Sequence, residues 1–220
     1  MPETPDMDRE IEMMGLRSQW LADEYFAHQA ALLIARDPRA KELLPPIEPG
    51  QVVPIFRMTQ GDGTAPNNCA ELHFSYFLER GLDERIAGEF DRTFLAGGLI
   101  RLGDELSRRG YLDRAPELEL IRHLRNGVAH GNRFDIRNPG RLKQHPAHTF
   151  WMHGLNANEP EFFEIKPELN GKPVLFDFIG PLSLARVFVG VSFYLLRMAH
   201  HEPLRGGIPE ARLGLPPVRS

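Results

Sequence analysis

A short run near the middle of the chain, residues 120–132, combines three kinds of side chain that phosphate chemistry uses. It spells Leu-Ile-Arg-His-Leu-Arg-Asn-Gly-Val-Ala-His-Gly-Asn. An arginine offers a planar fork of donors that matches a phosphate, and an asparagine can orient a hydroxyl or a phosphate oxygen. A histidine titrates near neutral pH, so it can serve as a general acid or base. No other segment of the sequence combines all three, and the functional prediction depends on this one.

Helical spacing divides these side chains between two faces. At about 100° per residue, one side collects the apolar positions Leu120, Ile121, Leu124 and Val128. Arg122, Asn126 and His130 fall within about an 80° arc on the other side, and the long side chain of Arg125 starts at its edge. The spacing predicts a helix that is buried on one side and carries Arg125, Asn126 and His130 as candidate site residues on the other.

The charge of His130 is left open by its position. The histidine is expected in the last turn of the helix, before Gly131, and the negative end of a helix favours imidazolium. The nearby Arg122 and Arg125 favour the neutral form instead. Gly127 has no side chain, so we expect it to leave the backbone accessible to a ligand.

The run Arg125-Asn126-Gly127-Val128-Ala129-His130 resembles the Arg-polar-x-x-x-His signature of the HEPN superfamily. The spacing from Arg125 to His130 is within the family's usual range, and Asn126 fills the polar position after the arginine. The following Gly131-Asn132 is also common in these proteins. The motif helix is expected to follow a long helix and to precede a closing one, which agrees with the family architecture over residues 70–200.

This resemblance implies a dimeric helical bundle in which two motif copies face each other and form one composite site. Many members are endoribonucleases of toxin–antitoxin, phage-defence or RNA-processing systems that need no metal or other cofactor. The implied reaction is attack by the RNA's own 2′-hydroxyl, which leaves a 2′,3′-cyclic phosphate and excludes DNA. His130 would move the proton, Arg125 would stabilise the transition state and Asn126 would position the substrate, while Arg122 and Asn132 would contact it. The expected partners are RNA, a second copy of the chain and an antitoxin.

A second function stays open, because some members of this superfamily are binding modules without catalytic activity. The chain carries a formal net charge of −4, which favours a module that binds a nucleotide or a protein partner. The charge is unevenly distributed, however, with ten basic and six acidic residues in the segment 101–143. This local excess can attract phosphates, or it can pair with the acidic N-terminal half.

The elements around the motif predict a mainly α fold, a helical bundle with a small β-hairpin inserted before the C-terminal helix. Three further helices are expected, over residues 8–36, 83–109 and 182–199, with Asp83 as an N-cap. A short helix is expected over 71–79, and Asn170-Gly171 is a strong turn signal for a hairpin that pairs residues 162–165 with 173–178. We expect Gly97-Gly98 to mark a close approach between helices.

The predicted domains are an accessory segment over residues 1–60, a HEPN-like domain over 61–202 and a frayed tail over 203–220. The accessory segment comprises one helix and a proline-rich connector. The single cysteine, Cys69, and an acidic N-terminus without a leader pattern favour a cytoplasmic protein. The apolar stretch 187–196 is too short to span a bilayer and predicts a core helix.

A cluster of histidines and a group of phenylalanines could also do chemistry, but the sequence favours a structural role for both. His145, His148 and His153 share a segment, but they match no zinc-ligand spacing, and we expect no metal there. The phenylalanines Phe162, Phe163, Phe176 and Phe178 can stack on bases, although such aromatic residues are more often part of a core.

Overall fold

The structure, a computed structural model, describes residues 5–39, 52–55, 70–73, 79–112, 114–142 and 163–201. It is mainly helical, as the sequence predicts. The chain divides into two compact units. The first comprises Met1–Phe26 and Asp91–Ser220, and the second comprises Ala27–Phe90. The predicted boundary at residue 60 lies inside the second unit, and the first 26 residues group with the motif segment.

Five α-helices and two short strands follow one another along the described chain. They are α1 (Pro5–Arg36), β1 (Val52–Ile55), β2 (Ala70–His73), α2 (Glu84–Arg108), α3 (Pro116–Ala129), α4 (Pro139–Leu142) and α5 (Pro181–Ala199). A single 3₁₀ turn spans Pro167–Leu169. The three predicted long helices and the motif helix are therefore confirmed to within a few residues.

The core of the first unit is formed by apolar residues from four helices. Its fully buried side chains include Met14 from α1, Leu95, Leu99 and Leu106 from α2, Leu118, Leu120, Ile121 and Leu124 from α3, and Leu184, Phe188 and Leu195 from α5. Removal of this apolar surface from water is the main force that holds the bundle together. Helix α1 thus contributes to the same core as the motif helix.

Helix α1 is also fixed by specific contacts to α2 and α5. The buried Ser18 hydroxyl donates to the backbone oxygen of Phe188 at 2.7 Å. Arg17 forms an ion pair with Glu105 of α2. Helix α2 also approaches α1 closely at Gly98. A Cβ placed on Gly98 would lie 3.1 Å from Leu21 Cδ2, whereas one placed on Gly97 would meet nothing within 4 Å. Only the second glycine of the pair therefore marks a helix contact.

The ends of α2 and α3 follow from local sequence signals. The carboxylate of Asp83 accepts a hydrogen bond from the backbone N–H of Arg85 at 2.9 Å, which caps the start of α2. Gly110 ends that helix with a φ of +68°, a conformation that glycine adopts without a Cβ penalty. Pro116 then occupies the first turn of α3, where its missing N–H costs nothing.

The predicted β-hairpin before α5 is not confirmed. Pro167–Leu169 forms a 3₁₀ turn, and Gly171 turns the chain with a φ of +77°. The segment after this turn pairs elsewhere, since Pro173 bridges Arg133 and Leu175 bridges Ile179. Residues 171–174 thus pair with the loop that follows the motif helix, whereas Leu175 pairs within its own segment.

The second unit contains a two-stranded antiparallel sheet. Val52 pairs with His73 and Ile55 pairs with Ala70. The strand Ala70–His73 occupies part of the region where the sequence predicts a short helix, so that prediction is wrong for these residues. In the same unit the rings of His28 and Phe90 lie with their centroids 3.9 Å apart.

Helix α5 is the one helix, in the part of the chain that the structure describes, whose length and composition would suit a membrane span. It is also a helix of the core, and 56% of its most apolar window is buried inside the protein. Its buried residues include Leu184, Val187, Phe188 and Val191. This burial agrees with the predicted core helix.

Candidate functional site

The motif helix α3 has the two faces that the sequence predicts. Leu120, Ile121 and Leu124 are fully buried, and Val128 packs against the core from a partly buried position. On the opposite side Asn126 is partly buried and His130 is exposed. The burial of one side of α3 in the core therefore fixes which polar groups the helix presents.

Arg125 is held in place by two polar partners. Its Nε donates to Asp104 Oδ1 at 2.8 Å, and its Nη2 contacts the same carboxylate oxygen. Its Nη1 donates to Asn126 Oδ1 at 3.0 Å. The arginine and asparagine of the motif thus meet in one hydrogen-bonded group, and the Arg125 side chain remains 30% exposed.

Two residues of α2, both missed by the sequence analysis, create the position of Arg125. Asp104 supplies the carboxylate, and Gly103 supplies the space. A Cβ on Gly103 would lie 2.6 Å from Arg125 Cγ, a distance that side chains do not tolerate. A glycine followed by an acid on the helix before the motif is a signal of this contact, but it gains meaning only when α2 and α3 are known to pack together.

His130 lies at the C-terminal cap of α3. Its backbone N–H donates to Asn126 O at 3.0 Å and to Gly127 O at 3.3 Å. Its imidazole is exposed and has no side-chain partner among the residues that the structure describes. The ring is therefore accessible to solvent or to a substrate. No direct contact joins it to Arg125 or Asn126 in the described ranges.

Arg122 belongs to a different polar group from Arg125. It forms an ion pair with Glu119, whose side chain is only 5% exposed. His123 completes the group, with Nε2 3.6 Å from Glu119 Oε1 and 3.5 Å from Arg122 Nη2. The structure therefore gives Arg122 a buried carboxylate partner within its own helix, and its predicted contact with a substrate phosphate stays a prediction.

Asn132 connects the end of the motif to the loop before α5. Its Oδ1 accepts from the backbone N–H of Leu175 at 2.8 Å, and its Nδ2 donates to Leu175 O at 3.3 Å. The residue has a φ of +60°, which asparagine tolerates better than most residues. The side chain is thus occupied by backbone, and its predicted role in substrate binding remains untested.

Gly127 is needed for packing. A Cβ at this position would lie 2.4 Å from Val174 Cγ2 and 3.1 Å from Arg133 O. The residue is buried, so the expectation that it leaves the backbone accessible to a ligand is wrong. The glycine instead lets α3 approach the 173–175 segment closely.

The described residues include no group of three or more histidine, cysteine, aspartate or glutamate side chains that could hold a metal ion. The histidines His145, His148 and His153 lie outside the described residues. Comparisons of the chain with protein-family models, curated proteins and solved structures find no match. The resemblance of residues 125–130 to the HEPN motif therefore stays a prediction.

Proposed function

We propose that the chain is a metal-independent endoribonuclease of the HEPN type. The observation that carries the proposal is the placement of two groups on one helix. The Arg125 guanidinium is oriented by Asp104 and Asn126, while the imidazole of His130 is exposed at the end of the same helix. An oriented cation and an unengaged imidazole are what cleavage by an internal 2′-hydroxyl requires.

In this mechanism His130 takes the proton of the attacking 2′-hydroxyl or gives one to the leaving 5′-oxygen. Arg125 stabilises the negative charge that develops on the phosphorus oxygens, and Asn126 orients both the guanidinium and the substrate. The new bond joins the 2′-oxygen to phosphorus as the bond to the 5′-oxygen breaks, which leaves a 2′,3′-cyclic phosphate. We further propose that two copies of the chain pair, so that each contributes residues to one shared site. The protein would act in the cytoplasm, and an antitoxin would be a further partner.

The test is cleavage of mixed single-stranded RNA by the purified full chain in EDTA. We expect products that end in a 2′,3′-cyclic phosphate by mass spectrometry, and no cleavage of an RNA with a 2′-deoxy sugar at the cleaved position. His130→Ala and Arg125→Ala should each reduce the rate at least 100-fold. Light scattering after size exclusion reports the pairing. Equal cleavage by His130→Ala would refute the proposal.

A second candidate is a non-catalytic module that binds a nucleotide or a protein partner. It is favoured by the fact that both arginines of the motif helix already have carboxylate partners, Asp104 for Arg125 and Glu119 for Arg122. A chain that binds RNA or a nucleotide in EDTA but leaves RNA intact would support this module in place of the enzyme.

A further inference from the structure

Phe176 differs from the other described phenylalanines of its segment. Phe163 and Phe178 meet edge to face with ring centroids 5.6 Å apart, and Phe178 meets Phe134 in the same way at 5.1 Å. These three rings form an aromatic cluster, which is the core role expected from the sequence. The ring of Phe176 also packs against the core from a partly buried position, but it lies in addition beneath the guanidinium of Arg92, whose Cζ is 4.4 Å from the ring centroid.

The backbone at Phe176 is in an uncommon conformation. Its φ is +73°, in the left-handed region that bulky side chains rarely adopt. Hydrogen bonds on both sides hold it there: the N–H of Phe176 donates to Ile179 O at 2.9 Å, and Leu175 is fixed by Asn132. Backbone strain of this kind clusters at binding and catalytic sites, so the conformation gives a reason to look for a ligand at this ring.

The ring is tied to the motif by a short structural path. Asn132 lies two residues after His130 and binds the backbone of Leu175 through both atoms of its amide. Phe176 is the next residue in the chain. The packing of Val174 against Gly127 reinforces the same junction. The backbone that follows His130 is therefore joined by hydrogen bonds to the residue that precedes Phe176.

We propose that Phe176 and Arg92 form a stacking subsite for an unpaired nucleobase that flanks the phosphodiester at His130. Guanidinium planes and aromatic rings both stack on bases, largely without regard to base identity. A base that stacks on the outer face of the Arg92 guanidinium would extend the stack of ring and cation that the structure already contains. The subsite deepens the proposed function, because it assigns single-stranded rather than duplex RNA as the ligand.

The test is binding of a short, fluorescently labelled single-stranded RNA in EDTA, measured by anisotropy on His130→Ala protein so that no cleavage occurs. Phe176→Leu keeps an apolar side chain without a ring, and Arg92→Ala removes the cation from an exposed position on α2. Each should raise the Kd about 10-fold, the scale of one stacked base, while Phe176→Tyr should retain binding. Removing the stacked base from the RNA to leave an abasic position should weaken binding to the His130→Ala protein. The same change should not weaken binding to the protein that also carries Phe176→Leu.

The matched control is Phe193→Leu, which changes a phenylalanine that is 50% exposed on α5. Thermal melts establish that each variant is folded, and Arg92→Ala provides an independent result if Phe176→Leu is not. An unchanged Kd in Arg92→Ala and in folded Phe176→Leu would overturn the subsite. An equal loss of RNA affinity in Phe193→Leu, or the absence of any RNA binding, would overturn it as well. Phe176-dependent binding without any cleavage would sustain the subsite and refute only the nuclease, whereas cleavage without this dependence would do the reverse.

Discussion

The guanidinium of Arg125 on α3 and the carboxylate of Asp104 on α2 are joined through two nitrogens, with Nε 2.8 Å from Oδ1 and Nη2 on the same oxygen. This contact fixes the plane of the guanidinium and leaves Nη1 for Asn126. The orientation of the motif arginine therefore depends on a residue 21 positions earlier in the chain.

Replacing Asp104 should accordingly impair the proposed RNA cleavage more than it impairs folding. We expect Asp104→Ala to reduce the single-turnover rate of RNA cleavage by about 10- to 100-fold, since misplacement of a catalytic group by about 1 Å has effects of this size. The free energy of unfolding should change by less than about 1 kcal/mol, because the ion pair is partly exposed. Asp135→Ala, which removes a surface pair with Arg137, is the control. A cleavage rate equal to that of the native protein would contradict the orienting role.

Two glycines of α2 give a matched pair of alanine variants. At Gly103 the new Cβ would lie 2.6 Å from Arg125 Cγ, whereas at Gly97 it would meet nothing. Gly97→Ala should stabilise the protein by about 0.5–1 kcal/mol through helix propensity alone. Gly103→Ala should displace the Arg125 side chain and reduce RNA cleavage at least 10-fold. Urea unfolding and cleavage rates measured on both variants check this, and equal activity of the two would show that the Gly103 space is not required.

The junction between the motif and the loop before α5 can be tested in the same way. Gly127→Ala should destabilise the protein by about 1–3 kcal/mol, the usual cost of overpacking, because its Cβ would overlap Val174 Cγ2 at 2.4 Å. Removing the overlapping methyl groups in a Gly127→Ala, Val174→Ala double variant should recover part of that loss. Denaturant unfolding of the two single variants and the double variant gives the coupling energy. Strict additivity would mean that the two positions do not meet.

Local signals predicted the helices well. Asp83, Gly110, Pro116 and Gly131 each act within one or two turns of the backbone, so their effects can be inferred from neighbouring residues. The apolar and polar faces of α3 were predictable for the same reason, because helical periodicity determines which residues share a side.

Contacts between distant segments were not predictable in this way. Asn170-Gly171 does form a turn, but Pro173 bridges Arg133, and no local pattern indicates that partner. The same holds for Asp104 beside Arg125 and for Leu175 beside Asn132. The sequence therefore indicated which residues of the motif lie on the polar face, while the groups that orient them came from tertiary packing.

Glu117, in the first turn of α3, should make stability depend on pH. Burial raises the pKa of this carboxyl from 4.5 to about 7. Tyr194 of α5 lies in the same region, and burial together with the Glu117 charge raises the pKa of Tyr194 to about 12. Both shifts have burial as their largest cause, so ionisation of Glu117 is unfavourable in the folded protein.

The direction in which the free energy of unfolding changes with pH follows from whether the folded or the unfolded state holds the proton of Glu117. Below pH 4.5 the carboxyl is protonated in both states, and Glu117 imposes no ionisation penalty. Between pH 4.5 and 7 the unfolded chain releases the proton while the folded protein keeps it, so the free energy of unfolding falls as pH rises. Allowing for the partial exposure of the residue, we expect a loss of about 1–3 kcal/mol that is complete above pH 7.

Glu117→Gln should abolish this loss, so the variant should exceed the native protein in stability at pH 8 and resemble it near pH 4.5. Urea unfolding at a series of pH values measures the difference, with Glu168→Gln at an exposed position as the control. The same pH slope in the native protein and Glu117→Gln would show that another group is responsible.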